Sequence, residues 1–230
     1  MNTIVQHLHT VHDRITAAAR ACDRHPDDIQ LLAVSKTKPA ADVLAAYAAG
    51  QRQFGENYVQ EAVDKIAALK AECPDIRWHL IGPLQSNKSR PVAEAFDWVQ
   101  SVDRLRIAQR LSAQRPGNMR PLNICLQVNV SAEDNKSGVP LDQVEALAQQ
   151  VSQLPGLCLR GLMAIPEATD NSDRLRTQLL ELKQLFDRMA EKYPQIDTLS
   201  MGMSNDLELA VACGSTLVRV GTAIFGSRNP

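Results

Sequence analysis

Aromatic residues and net charge are both scarce in this sequence. Phe, Trp and Tyr make up 4% of its 230 residues, and the formal net charge at pH 7 is -1. Nucleic-acid binding needs a positively charged face, and single-stranded nucleic acid is usually held on stacked aromatic rings. The composition therefore predicts no nucleic-acid partner and no electrostatic attraction to an anionic membrane, although local groups can still bind an anionic small molecule.

Long apolar runs, a signal sequence and paired cysteines are missing as well. No apolar run reaches the length of about 18 residues that a membrane-spanning helix needs. The amino terminus lacks the basic and apolar regions of a secretory signal. The five cysteines are far apart and form no CxxC pair, which indicates reduced thiols in a cytoplasmic protein. His7, His9 and His12 crowd the predicted first helix without an HExxH pattern, so we expect no metal site.

What the sequence does contain is a regular alternation of strand-like and helical segments. An amphipathic helix covers about residues 2–23, and eight short apolar runs then each lead through a polar loop toward a helix. The predicted strands lie near residues 29–34, 52–54, 78–81, 98–100, 123–128, 159–162, 198–200 and 217–220. Helices are predicted to begin near Pro39, Val59, Ser86, Asp103, Leu141, Asp173 and Asn205.

This alternation predicts a parallel sheet, because parallel neighbours need a crossover that is usually helical. Eight such units in about 200 residues are typical of a (β/α)8 barrel of the TIM type. An open, doubly wound sheet would normally carry a glycine-rich turn after its first strand, and the turn here reads Ser35-Lys36-Thr37-Lys38. No linker, repeat or low-complexity segment divides the chain. We therefore predict a single barrel domain over residues 1–230, with an extra N-terminal helix.

The first predicted strand delivers a lysine at its carboxyl end. The apolar run 31–34 stops at Ser35-Lys36. Since side chains alternate along a strand, Lys36 is expected to share a face with Leu32 and Val34. If that face lines the barrel, the amine stands at the mouth of an apolar cup, where desolvation favours a neutral amine that can condense with a carbonyl. The alternative is a lysine that only caps the strand and points at water.

Two loops near the end of the chain have the residues of an anion site. The loop after the seventh strand, residues 200–206, opens a helix that Ser204 or Asn205 is predicted to cap, which leaves backbone amides for an anion. After the eighth strand, Gly221 allows close backbone approach and Thr222 offers a hydroxyl beside the amides of a short helix. These two loops often bind phosphate in (β/α)8 barrels, so we predict a phosphate site. Ordinary helix capping is the alternative.

Other polar residues also lie near the predicted barrel mouth. Arg219 is predicted to point inward, and its charge must then be paired by a structural carboxylate or by an acceptor on a bound ring. His79, in the third strand, is either a site residue or a hydrogen-bonded core residue. Lys38, Lys88 and Lys136 give the rim positive charge, for which solvation is the simpler role.

Long motifs along nearly the whole chain resemble those of one family. They are AVSKTKP (33–39), FGENYVQE (54–61), WHLIGPLQSNK (78–88), LRGLMAIP (159–166), LSMGMSNDLELA (199–210) and VRVGTAIFG (218–226). In this order they are similar to the motifs of the pyridoxal phosphate homeostasis proteins, which are fold-type III, single-domain relatives of alanine racemase. The resemblance implies a fold like the N-terminal domain of alanine racemase, which is also a (β/α)8 barrel.

The resemblance also implies a set of cofactor contacts. Lys36 would carry pyridoxal 5′-phosphate (PLP) as an internal aldimine, and Arg219 would face the pyridine nitrogen. The phosphate would contact Ser204, Gly221 and Thr222. With the neighbouring positions that the family places close to the cofactor, the implied site comprises Lys36, Asn57, His79, Ser200, Met203, Ser204, Arg219, Gly221 and Thr222.

The residues and the resemblance together favour a carrier of free PLP over an enzyme. An arginine opposite the ring nitrogen keeps that nitrogen unprotonated, which makes the ring a poorer electron sink. Racemization also needs a second base, which alanine racemases take from an extra domain of a partner subunit, and we expect no such domain here. We expect a cytoplasmic monomer that binds PLP on Lys36 and buffers, carries or delivers it, affecting vitamin B6 and amino-acid metabolism. PLP-dependent apoenzymes are the candidate recipients.

Two other functions remain open at this point. One is a PLP-dependent amino-acid racemase of weak or narrow activity. The other is a cofactor-free barrel enzyme in which Lys36 forms a Schiff base with a phosphorylated sugar.

Overall fold

The eight predicted strands close into a parallel barrel. The structure is a computed structural model that describes residues 3–131, 137–167 and 169–227. The barrel strands are β1 (Gln30–Val34), β2 (Gln53–Glu56), β3 (Arg77–Leu80), β4 (Trp98–Val102), β5 (Leu122–Asn129), β6 (Leu157–Met163), β7 (Thr198–Ser200) and β8 (Leu217–Val220). Each strand pairs in parallel with the next, and β8 pairs with β1. The (β/α)8 barrel expected from the alternation is therefore confirmed.

Helices connect the strands and cover the outside of the barrel. They are α1 (Thr3–Arg20), α2 (Ala40–Ala48), α3 (Val59–Leu69), α4 (Ser89–Ala95), α5 (Leu105–Gln114), α6 (Val144–Val151), α7 (Ser172–Lys192), α8 (Leu207–Ala212) and α9 (Thr222–Phe225). Helix α1 precedes the barrel, as predicted. Its buried residues Leu8, Val11 and Ile15 recur every three to four positions and form one apolar stripe, and the helix packs against α2, α8 and α9.

Short segments differ from the prediction. A two-residue strand, Val139–Pro140, pairs with the end of β5, and the sequence gives no sign of it because two residues carry no periodicity. Single turns of 3-10 helix precede β1, α4 and α6, where the sequence predicts only loops or the starts of helices. The second helix is predicted to begin near Pro39. The extended backbone of Pro39 (ψ 159°) makes it the N-cap, and the helix begins at Ala40.

Apolar side chains fill the layer between strands and helices, whereas the inside of the barrel is partly polar. The interior holds a small apolar cluster of Trp98, Cys125 and Met163. Beside it lie four buried polar residues, which are His79, Gln100, Ser200 and Arg219. Buried polar groups need hydrogen-bond partners, so this layer must be internally connected or must face a ligand.

Neither a membrane-spanning helix nor a metal site is present in the part of the chain that the structure describes. Across 3–131, 137–167 and 169–227, no helix is both long enough and apolar enough to cross a bilayer. Over the same ranges, no three His, Cys, Asp or Glu side chains come together as a metal site would require. All five cysteines are free thiols.

Candidate functional site

A cavity of about 420 Å³ lies at the carboxyl end of the barrel. Pockets for small molecules usually measure about 300–1,000 Å³. Seven of the nine residues implied by the family resemblance line this cavity, and they are Lys36, Asn57, Met203, Ser204, Arg219, Gly221 and Thr222. The structure therefore brings together residues from four different strand ends. The other two, His79 and Ser200, are fully buried beneath Arg219.

Lys36 stands directly after β1, in a turn at the mouth of the barrel. Its half-buried side chain lines the same cavity as Val34, two positions earlier, as alternation along the strand predicts. With Ile81 and Ile165, Val34 gives this cavity an apolar wall. An apolar wall beside a lysine suits a flat ring that carries a reactive carbonyl.

The loop after β7 forms a second part of the cavity. Asp206 occupies the N-cap of α8, and its Oδ1 accepts a hydrogen bond from the amide of Met203 at 2.7 Å. The prediction that Ser204 or Asn205 caps this helix is therefore wrong. Because the Asp206 carboxylate closes the turn, Ser204 and Asn205 are left at the cavity wall.

The loop after β8 approaches β1 closely at Gly221. A Cβ at this position would lie 3.1 Å from the carbonyl oxygen of Val34 and 3.3 Å from its Cβ, which is tighter than an ordinary contact. Thr222 then begins α9, and the first amides of a helix have no carbonyl partner within it. A hydroxyl and backbone amides in this arrangement can bind a phosphate group.

Helix α1 holds both loops from outside the barrel. Arg14 donates from Nη2 to the carbonyl oxygen of Ser204 (2.9 Å) and pairs with both carboxylate oxygens of Glu208 in α8 (2.8 and 3.0 Å). His7 donates from Nδ1 to the carbonyl oxygen of Ile224 in α9 (2.9 Å). The sequence predicts α1 only as an additional helix, because nothing in its periodicity indicates which loops it contacts.

Arg219 is the charged group inside the barrel, and its partners are uncharged. Its Nη1 donates to Ser200 Oγ (2.7 Å), and its Nη2 donates to the carbonyl oxygen of Ala164 (2.8 Å). Burial lowers the pKa of the Arg219 guanidinium to about 10, so it remains protonated at neutral pH. Of the two partners expected from the sequence, no carboxylate is in direct contact with Arg219 within the described ranges, and the guanidinium is bonded instead to a hydroxyl and a backbone carbonyl oxygen.

Beneath Arg219, a series of hydrogen bonds leads to His79, and in each bond the residue nearer Arg219 is the donor. A guanidinium can only donate, so the Ser200 hydroxyl accepts from Arg219 and donates to Gln100 Oε1 at 2.6 Å. The amide nitrogen of Gln100 therefore faces His79 Nδ1, at 2.9 Å. This order makes His79 Nδ1 an acceptor and puts the ring hydrogen on Nε2. We call this series of four residues, Arg219, Ser200, Gln100 and His79, the interior chain.

His79 is held neutral at the end of the interior chain. Its ring stacks on Trp98 with centroids 5.1 Å apart, and its Nε2 meets no hydrogen-bond partner in the described part of the protein. Burial, with a smaller effect from the positive charge of Arg77, lowers the pKa of His79 to about 3. His79 thus acts on the cavity through Gln100, Ser200 and Arg219 rather than by lining it.

The buried neutral state of His79 predicts a pH dependence of stability. The pKa of an unfolded histidine is about 6.5, so between pH 6.5 and 3 the unfolded chain takes up a proton that the folded chain does not, and folding weakens as pH falls. Between pH 7 and pH 5 this effect amounts to about 2 kcal/mol. Replacing His79 with glutamine is expected to remove it. The measurement is urea unfolding of both proteins at pH 7 and pH 5, and an equal loss in both would contradict the assignment.

The rim lysines have different surroundings. Lys38 Nζ donates to the carbonyl oxygen of Ser227 at 2.8 Å, so it helps to hold the chain just after α9. Lys88 lies near the exposed Tyr58 beside the cavity mouth. Lys136 lies outside the described residues.

This chain is similar to proteins of one described family. The family model described as alanine racemase, N-terminal domain, matches residues 7–229. The pyridoxal phosphate homeostasis protein of Pseudomonas aeruginosa is 56% identical, with 100% of this chain and 97% of the relative covered. That of Escherichia coli K12 is 54% identical, with 100% and 98% covered. The structure of PipY from Synechococcus elongatus PCC7942, with PLP bound, has a TM-score of 0.84 at 40% identity, covering 97% of this chain and 100% of that one.

Proposed function

The chain belongs to the alanine racemase N-terminal domain family and, within it, to the pyridoxal phosphate homeostasis proteins, and on this basis we propose that it binds PLP reversibly through Lys36. Its role is then to buffer free PLP and pass it on, with PLP-dependent apoenzymes as recipients. The aldehyde of PLP condenses with a primary amine with loss of water, and hydrolysis reverses the reaction. Reversibility is what a buffer or carrier needs.

One observation carries this proposal. A lysine amine, two loops suited to phosphate and an apolar wall meet in one cavity at the carboxyl end of the barrel. The side chains that would bind the aldehyde, the ring and the phosphate are thus all within a single pocket. A protein that used Lys36 only to cap β1 would have no need of this arrangement.

Two polar groups of the cavity support a ligand with a polar ring. Asn57 Oδ1 is buried and has no hydrogen-bond partner among the described residues, so a donor on a ligand would satisfy it. Arg219 brings a permanent charge to the cavity and can only donate, so it suits an acceptor such as an unprotonated ring nitrogen. An unprotonated pyridine withdraws electrons weakly and gives little help to carbanion chemistry.

The bases available in the cavity argue against racemization by this chain. Removal and return of an α-proton on opposite faces of a carbon needs two groups within hydrogen-bond reach. Among the described residues that line the cavity, only Lys36 and Arg219 are ionisable, and Arg219 stays protonated at neutral pH. One base is available where racemization needs two, so we propose a non-catalytic role.

Borohydride trapping tests the binding proposal. Wild-type protein incubated with PLP is expected to turn yellow, and reduction is expected to attach one pyridoxyl phosphate group to the peptide that contains Lys36. Mass analysis of the digested protein identifies both the adduct and its position. A colourless protein, or an adduct on another lysine, would overturn the proposal. A phosphorylated sugar trapped on Lys36 in place of PLP would favour the cofactor-free enzyme instead.

Hydrogen exchange tests the non-catalytic role. With PLP bound, amino acids incubated in deuterium oxide are expected to keep their α-proton, because a second base is lacking. The measurement is a proton NMR time course over a panel of amino acids. Exchange that requires both the protein and Lys36 would show that the chain is an enzyme.

A further inference from the structure

A buried ion-pair cluster lies directly behind the turn that carries Lys36. Lys65, on α3, places its Nζ 2.7 Å from Glu56 Oε1 at the end of β2 and 3.1 Å from Glu61 Oε1 on α3. The side chains of Lys65 and Glu56 are almost completely buried, whereas that of Glu61 is partly exposed. None of these three residues lines the cavity. We call them the Lys65 cluster.

The Lys65 cluster is bonded to both neighbours of Lys36. Before it, Ser35 accepts from Lys65 Nζ through its carbonyl oxygen (2.9 Å) and donates from Oγ to Glu56 Oε1 (2.6 Å). After it, the backbone amide of Thr37 donates to Glu61 Oε1 at 2.7 Å. The residues on each side of the lysine are therefore fixed by the same three side chains.

The turn that these bonds hold is an unfavourable one. Thr37 has φ 62°, in the left-handed region that a β-branched residue seldom adopts. Left to its own preference, Thr37 would return to an extended or right-handed conformation, and this change would swing the Cα–Cβ bond of Lys36 away from its present direction. The bond from Thr37 to Glu61 opposes that change.

The composition of the Lys65 cluster is hard to explain by stability alone. Buried ion pairs can often be replaced by apolar residues without loss of stability, because desolvating the charges offsets their attraction. Here burial raises the pKa of Glu56, against the attraction of Lys65, and its second oxygen, Oε2, has no partner within the described residues. The desolvation of the Glu56 carboxylate is unfavourable, so its presence is more simply explained by the geometry that the cluster imposes on Ser35, Lys36 and Thr37.

We propose that Lys65, Glu56 and Glu61 are positioning residues that direct the Lys36 amine toward the carbonyl of the bound cofactor. The inference rests on the proposed function, since it concerns the same lysine. The cluster does not touch the cofactor. It acts by holding the backbone on both sides of Lys36, so its loss affects the bond to the aldehyde and spares the sites for ring and phosphate.

A pair of ligands separates positioning from general damage to the site. PLP carries an aldehyde, and pyridoxine 5′-phosphate has the same ring and phosphate with an alcohol in its place. In Lys65→Met, the rate of imine formation with PLP is expected to fall about tenfold or more, since a misdirected nucleophile reacts slowly. The affinity for pyridoxine 5′-phosphate is expected to stay within about twofold of wild type. Stopped-flow absorbance gives the rate, and calorimetric titration gives the affinity.

Further variants keep this test decisive if Lys65→Met folds poorly. Glu61→Ala removes the bond to Thr37 at a partly exposed position, and it is expected to slow imine formation in the same way. Lys65→Arg keeps a cation that can reach Glu56 and is expected to restore part of the rate. Lys183→Met, which removes the exposed pair with Asp187 on α7, is the matched control and is expected to behave as wild type.

The outcomes distinguish failure of the proposed function from failure of this inference alone. If wild type forms no trapped adduct with PLP, the proposed function fails and this inference fails with it. If wild type reacts normally and the folded variants Lys65→Met and Glu61→Ala react as fast, the inference alone is overturned. A parallel loss of affinity for pyridoxine 5′-phosphate also overturns it, because the cluster would then support the whole site.

Discussion

Replacing Lys36 with alanine is expected to abolish covalent attachment of PLP and the yellow colour that comes with it. The amine that condenses with the aldehyde is lost, and the cavity offers no other primary amine among the described residues that line it. The affinity for PLP is expected to fall about a hundredfold, equivalent to about 3 kcal/mol. Gel filtration of the PLP-loaded proteins, followed by absorption spectra, measures this loss.

The rest of the site is expected to survive this substitution. Lys36 is half-buried at the cavity mouth, so its truncation leaves no hole in the core, and the free energy of unfolding is expected to change by less than about 1 kcal/mol. Pyridoxine 5′-phosphate is expected to bind nearly as before. The control is Lys88→Ala, which removes another lysine beside the mouth and is expected to remain yellow. A Lys36→Ala protein that still gives a borohydride-stable adduct would contradict the assignment.

The fold could be predicted because its signals are local. Each barrel strand is a short apolar run and each crossover has helical spacing, so the order of elements follows from neighbouring residues alone. The observed strands begin and end within a few residues of the prediction. The exception, Val139–Pro140, is defined only by its partner β5, and a partner is what a single sequence does not specify.

The sequence predicts only those parts of the site that lie at or just after the ends of strands. Lys36 and Arg219 follow from strand alternation, and Gly221 follows from the position of the loop after β8. The bonds that connect these residues to the interior were not predictable. Gln100 is joined to Ser200, 100 positions away in the sequence, and it lies in a strand that otherwise looks like ordinary core. Such pairs depend on which strand faces which across the barrel, and periodicity carries no information about that.

The interior chain explains how a charged arginine can be held in the barrel without a carboxylate against it. Arg219 donates to Ser200, which donates to Gln100, which donates to His79. Ser200 and Gln100 are each both acceptor and donor, so changing either of them removes a hydrogen bond from both of its neighbours. Gln100 is the central case, since its side-chain amide is both the acceptor for Ser200 and the donor to His79.

Replacing Gln100 with leucine is therefore expected to be among the most destabilising single changes in the barrel. It keeps a side chain of similar size, but it leaves the buried Ser200 hydroxyl without the acceptor for its hydrogen and His79 Nδ1 without its donor. Each such group costs about 1–3 kcal/mol, so the free energy of unfolding is expected to fall by about 2–6 kcal/mol. With Ser200 no longer fixed, Arg219 is less well oriented, and PLP affinity is expected to fall several-fold. Urea unfolding and calorimetric titration measure the two effects.

The matched control is Gln127→Leu, at another buried glutamine of the barrel. Among the described residues, Gln127 makes one long bond, of 3.4 Å, to the carbonyl oxygen of Ser137. Such a bond contributes little, so this change is expected to cost less than about 1 kcal/mol. Nitrogen-15 NMR of the histidines gives an independent check. In wild type, His79 is expected to carry its hydrogen on Nε2 throughout the range from pH 5 to 8, as the direction of the interior chain requires. A hydrogen on Nδ1, or equal losses in the two glutamine variants, would contradict this account of how Arg219 is held.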